Sequence, residues 1–346
     1  MMKQKIVMCL LAGVLVLGMS GCGTQEVEVP EVENVENAEN VEEEPAPEET
    51  EAEEEPEQSD SESAPEEAPT VDDAAESENT EPEETEEASA PVVYEDGGQI
   101  PLDPSWTYAD HSKINSGAAV LYKAAENRKE IVVGVNAGHG TSGGTKVKTL
   151  CHPDGSAKVT GGTTAAGATE AVAVSSGMTF NDGTPESSVT LRMAQILKEK
   201  LLAAGYDVLM LRDGDDVQLD NVARTVICNN AADCHIALHW DGDGLNYDKG
   251  CFYISVPEGL KSMEPVASHW SEHNALGSAL VEGLRAQGAK INGGGSMSID
   301  LTQTSYSTVP SVDMELGNAC SDHSDSALNL LGDGLVQGVN SYFGQS

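Results

Sequence analysis

Ile131-Val132-Val133-Gly134-Val135-Asn136-Ala137-Gly138-His139-Gly140 is the stretch whose reading decides the fold. A β-branched apolar run closed by glycines predicts a buried strand that ends in a tight turn carrying a histidine. Downstream, Thr141 to about Pro185 is rich in Gly, Thr and Ser and has few periodic apolar positions. So long a stretch without a clear pattern reads as an insertion in a compact domain. Its Gly161-Gly162-Thr163-Thr164 centre reads as a lid, as a ligand-recognition loop, or as a surface excursion without function.

Periodicity resumes at Glu186. Leu191, Ala194, Ile196, Leu197, Leu201 and Leu202 have helical spacing, with a stop signal at Gly205. Tyr206 to Leu211 predicts a strand, and Val217 to Asn230 a second helix. His235 to His239 predicts another strand, with Cys251 to Ser255 expected beside it. Ala275 to Ala286 predicts a helix, Ser311 to Leu316 a short strand, and Ser324 to Tyr342 a closing helix. Strands alternating with helices imply a single α/β domain, its mostly parallel twisted sheet covered by helices on both faces.

In such sheets ligands gather at the carboxyl ends of strands. Three predicted strand ends carry His139, His239 and Glu315, and Glu186 stands where the first long helix begins. Two imidazoles and a carboxylate make a three-ligand zinc site with a fourth position left for water, the pattern of catalytic zinc. A further glutamate supplies the base that takes a proton from that water and returns it to a departing amine. His111, His152, His235, His269, His273 and His323 read as ordinary polar residues on the same criteria.

Several motifs around these residues, in order, carry a family resemblance. They are the Val133-to-Gly140 strand and turn, Glu186 five residues before Leu191, and Gly205-Tyr206-Asp207-Val208. Leu211-Arg212-Asp213 follows, then Leu219, Arg224 and Asn229-Asn230-Ala231-Ala232-Asp233. Ile236-Ala237-Leu238-His239 and Pro310 to Asn318, with its Glu315-Leu316-Gly317, complete the series. From about residue 130 to 340 the sequence resembles the type-3 zinc-dependent N-acetylmuramoyl-L-alanine amidases, hydrolases of the bacterial cell wall. The resemblance implies Zn2+ on His139, Glu186 and His239, with Glu315 as the catalytic residue. It implies hydrolysis of the amide between N-acetylmuramic acid and L-alanine in peptidoglycan. A zinc peptidase acting within the stem peptide, or a non-catalytic wall-binding lipoprotein, are the other readings.

The sequence departs from that pattern in three places. The gap between His139 and Glu186 is long, which makes Glu170 a rival ligand, although no helix is predicted to follow it. The pair after His239 is Trp240-Asp241, without the usual asparagine. The last strand reads Val312-Asp313-Met314, more polar than expected.

The N-terminus sets an expectation about compartment. Two lysines, an apolar run from Ile6 to Met19 and then Ser20-Gly21-Cys22 predict a lipoprotein signal peptide over residues 1–21. Cys22 is the expected lipidation site, which would anchor the protein to a membrane at the extracytoplasmic cell envelope. Residues 23–96 hold 31 Asp or Glu and no Lys or Arg. That composition predicts a disordered, solvated linker, so 22–96 reads as an acidic tether. A tail that binds calcium or a cationic partner is the alternative. Of the formal −41 the tail supplies −31 and the two lysines near the N-terminus offset 2, so residues 97–346 carry −12, with no basic patch to suggest nucleic acid. Residues 97–129 then form a lead-in, and 130–346 the catalytic domain with its insertion near 141–185. A monomer is expected. The domain's cysteines are Cys151, Cys228, Cys234, Cys251 and Cys320, an odd number with no Cys-x-x-Cys pair.

Overall fold

The structure, a computed structural model, describes residues 94–345; the expected signal peptide, Cys22 and nearly all of the acidic tether lie outside them. The strands are β1 (Gln99–Pro101), β2 (Ala118–Tyr122), β3 (Val132–Ala137), β4 (Lys148–Leu150), β5 (Glu170–Val172), β6 (Asp207–Met210), β7 (Cys234–Asp241), β8 (Cys251–Ser255), β9 (Ile291–Ser298) and β10 (Ser311–Asn318). The helices are α1 (Glu186–Ala203), α2 (Asn221–Ala231), α3 (Val266–Ala286), α4 (Thr302–Tyr306) and α5 (Asp325–Tyr342). Eight strands form one sheet in the order β1-β2-β6-β3-β7-β10-β8-β9. Its centre, β6-β3-β7-β10, is parallel, whereas β1, β2 and β8 join by antiparallel pairing. The lead-in segment thus supplies two strands at one edge of this same sheet.

Alternation along each strand explains why the sheet is covered on both faces. Val133, Val135 and Ala137 of β3, with Val208 and Met210 of β6, pack into one core with residues of α1, α3 and α5. Val132 and Leu209 point the other way, into a second core with Ala223, Ile227 and Cys228 of α2. The helix ends follow local chemistry. Gly205, in the left-handed region at φ 90°, closes α1 while the Tyr206 amide donates to the Leu201 carbonyl at 3.0 Å. The Asp220 carboxylate caps α2 by accepting from the Ala223 amide at 2.8 Å. That cap is why α2 starts at Asn221 rather than at Val217, where apolar spacing alone placed it.

Strand order corrects one expectation. Cys251–Ser255 does not lie beside β7, because β10 is inserted between them, parallel to β7 and antiparallel to β8. β10 sends Val312, Met314 and Leu316 into the larger core, which suits a central position. β9, by contrast, carries Gly293-Gly294-Gly295 and occupies the edge, where weak strand formers are tolerated. Residues 141–185 are ordered, with β4 and β5 pairing antiparallel as a separate small sheet. All five cysteines among the described residues are free thiols, four of them buried. Burial holds the protons on the four buried thiols, pushing Cys251 up to about 12. Among the described residues no helix is long and apolar enough to cross a membrane.

Candidate metal centre

His139 stands two residues beyond the end of β3, after Gly138, and sits in the left-handed region at φ 66°, an uncommon conformation for a residue with a side chain. Two buried arginines hold that turn. Arg212 donates to the carbonyls of Ala137 and Gly138, at 3.1 and 3.0 Å. Arg224 donates to the Ala137 carbonyl at 3.1 Å, to Asn136 Oδ1 at 3.0 Å and to the His139 carbonyl at 2.7 Å. Burial is the main influence on both guanidiniums, drawing Arg212 down to about 10 and Arg224 to about 9, so both remain charged at neutral pH. These two motif residues therefore act on the backbone that carries the histidine.

Three side chains meet at the carboxyl edge of the sheet. His139 Nε2 lies 2.8 Å from Glu186 Oε1 and 3.0 Å from His239 Nδ1, and His239 Nδ1 lies 3.1 Å from the same oxygen. Three donor atoms thus converge from β3, from the first residue of α1 and from β7. Their other atoms are fixed from behind. His139 Nδ1 donates to the Ser175 carbonyl at 3.0 Å, which leaves Nε2 as the free lone pair. Glu186 Oε2 accepts from the Met178 amide at 2.8 Å, and Oε1 from the Trp240 amide at 3.0 Å. His239 Nε2 faces Asp313 Oδ2 at 3.8 Å. Close approach requires glycine at Gly138, where an added Cβ would stand 2.2 Å from His239 Cε1. It requires glycine equally at Gly177, at φ 80° and with 2.7 Å to Glu186 Oε2.

This donor set fits zinc. Ligand atoms held tetrahedrally at about 2.0–2.1 Å lie about 3.3 Å apart, close to the spacings observed, and two imidazoles with a carboxylate suit that ion. Burial works against charge on Glu186, but the facing imidazoles of His139 and His239 outweigh it and hold the carboxyl well below its ordinary range. Burial likewise opposes charge on His239, yet Asp313 and Glu186 raise it to about 10. A metal ion bound there would take the place of that proton, since only the neutral imidazole can ligate.

Glu315 lies on β10 directly across from His239 in the parallel register. Its Oε2 is buried without a hydrogen-bond partner, and burial followed by the nearby Asp313 carboxylate raises it well above the ordinary 4.5. Glu315, Asp313 and the three converging residues line a cleft of about 430 Å3. The rival Glu170 is exposed on β5, outside this cluster. Asp241, in the position after Trp240, also lines the cleft but is paired to Lys249 Nζ.

Two features were not anticipated from sequence. Asp313, noted only as an unexpectedly polar strand residue, shares its strand face with Glu315 and backs His239; position i−2 on a strand was the available signal. His152, read as an ordinary polar residue, is completely buried against Asp300, with Nε2 at 3.0 Å from its carboxylate. No local pattern marks that pair.

The fold and the cluster define a class: an α/β domain with a three-ligand site, able to hold a metal ion, at the carboxyl edge of its sheet. Residues 133–331, more than half of the chain, match Amidase_3, N-acetylmuramoyl-L-alanine amidase, and the chain belongs to that family. In fold it is similar to the N-acetylmuramyl-L-alanine amidase Ami1 from Mycobacterium smegmatis. The identity is 20% over 63% of this chain and 99% of that one, with a TM-score of 0.52. Ami1 from Mycobacterium abscessus matches at 21% identity over 62% of this chain and 99% of that one, TM-score 0.49. The amidase AmiC2 of Nostoc punctiforme matches at 15% identity over 63% and 100%, TM-score 0.45. No curated protein matches the chain.

Proposed function

We propose that this protein hydrolyses the amide between N-acetylmuramic acid and L-alanine in peptidoglycan, with zinc held by His139, Glu186 and His239 and with Glu315 as general base. The observation that carries the reading is the convergence of those three donor atoms in one cleft with the unpartnered Glu315 carboxylate. Zinc, when bound, would polarise the scissile carbonyl and acidify the attacking water. Glu315 takes the proton from that water and passes it to the leaving α-amino nitrogen of L-alanine. Burial and the nearby Asp313 carboxylate raise its pKa above the ordinary range, which favours its holding the proton between the two steps. Asp313 orients His239 by facing Nε2, so that Nδ1 presents its lone pair to the cluster.

The experiment uses the full chain with added zinc and purified peptidoglycan, and identifies newly exposed amino termini. L-alanine termini are expected, with loss of about 10²–10⁴-fold in rate for Glu315→Gln and zinc content unchanged. Another terminal residue would mark a stem-peptide peptidase, and normal turnover by Glu315→Gln would remove Glu315 from its role. We also propose that Cys22 is lipidated and tethers the domain to a membrane through residues 23–96. Cys22→Ser is expected to shift the protein from the membrane to the soluble fraction.

A further inference from the structure

Asp300, on the segment between β9 and α4, is completely buried and gathers one end of the insertion around itself. Its carboxylate accepts from His152 Nε2 at 3.0 Å and from the Val159 amide at 2.8 Å. Its amide donates to Thr160 Oγ1 at 2.8 Å, and its carbonyl accepts from Lys158 Nζ. The other His152 nitrogen is 2.8 Å from Ser156 Oγ. None of these groups belongs to the converging cluster around Glu186. A buried polar knot of this kind is weak support for stability, because apolar residues of similar volume would hold two loops together at least as well. What it supplies is a fixed geometry.

The part it fixes faces the cleft. Gly162, Thr163 and Thr164 of the insertion, with Ile299 and Thr302, line the same cavity as His139, Glu186 and Glu315. An added Cβ on Gly162 would be 3.4 Å from Ile299 Cγ2, so the two loops approach closely at the rim. This wall carries no free charge, since the one ammonium on it, Lys158, is committed to Asp300. The region around Glu186 is acidic: Asp313 faces His239 through Oδ2, while its Oδ1 and Glu315 Oε2 have no hydrogen-bond partner. The cleft therefore has a neutral, hydroxyl-bearing part and an ionic one.

We infer that residues 158–164, seated by Asp300, form the recognition wall of the cleft. The wall binds neutral amide- and hydroxyl-bearing groups of a muramyl peptide, and Asp300 is a positioning residue. The inference rests on the proposed amidase reading. The test measures binding of N-acetylmuramyl-L-alanyl-D-isoglutamine to the zinc-loaded full chain carrying Glu315→Gln. Adding Thr163→Ala with Thr164→Ala, both at the rim where folding is not at stake, is expected to weaken binding at least fivefold. With Glu315 restored, the same pair raises KM at least fivefold while kcat stays within twofold. Asp300→Asn is expected to raise KM in the same way at unchanged zinc content, whereas a merely structural residue would lower kcat and melting temperature together.

Competition by L-alanyl-D-isoglutamine against an N-acetylglucosamine oligosaccharide separates the two sources of this chemistry; the fragment that loses potency in the threonine variant is the one the wall holds. Binding by Glu315→Gln that is unchanged within twofold by the threonine substitutions would overturn the inference alone. No binding of the muramyl peptide to Glu315→Gln would overturn the amidase reading and the inference with it.

Discussion

His235 stands at the start of β7, completely buried, with neither ring nitrogen hydrogen-bonded. Burial first, then the charge of Arg224 and the neighbouring His273, draws its pKa from the ordinary 6.5 down to about 3. Between those two values the unfolded chain binds a proton that the folded chain refuses. Stability therefore rises with pH across that window, is complete above 6.5, and falls as acid is added. At about pH 5, roughly 1.5 pH units below the ordinary value, the loss through this residue is about 2 kcal/mol, at about 1.4 kcal/mol per unit. His273 is buried and also drawn down to about 3, so it contributes a loss of the same sign. The assay is urea denaturation of the zinc-loaded full chain at about pH 7.5 and about pH 5, for wild type and His235→Leu. The variant, with no proton to refuse, is expected to lose about 2 kcal/mol less than wild type between the two conditions. Equal losses would refute the reasoning, because they would mean that the ring charges in place or has a partner.

Gly138→Ala places a Cβ 2.2 Å from His239 Cε1 and is expected to displace that ring. Zinc affinity measured by competition with a chelator should fall about 10–100-fold, the range seen when support for a ligand is lost. Arg224→Met removes donors from the carbonyls of Ala137 and His139 in a fully buried setting, and should lower unfolding free energy by about 3 kcal/mol. Asp313→Ala leaves His239 Nε2 without its facing carboxylate and is expected to weaken zinc about tenfold, read by the same competition. Chelation of the metal should abolish amidase activity, and added zinc should restore it.

Much of the sheet was legible because its signals are local. The β-branched run before His139, the helical spacing after Glu186 and the stop at Gly205 concern neighbours along the chain, and hydrophobic period reports them directly. The capping role of Asp220 was also written locally, though apolar residues upstream masked it. Short or glycine-bearing edge strands such as β1 and β9 were invisible, since neither period nor propensity marks them.

Sequence alone determined the alternation of strands and helices, and the presence of His139 just after one strand and of His239 and Glu315 in the carboxyl halves of two others. These follow from side-chain period and turn chemistry. Tertiary structure decided what they face. Only the placing of β10 between β7 and β8 sets Glu315 across from His239, and only the fold of the insertion sets the Ser175 carbonyl behind His139. Asp300 and His152 are likewise polar residues whose partners lie far away in sequence. A buried polar group is satisfied by whatever the folded chain brings to it, and the local pattern around it carries no record of that partner.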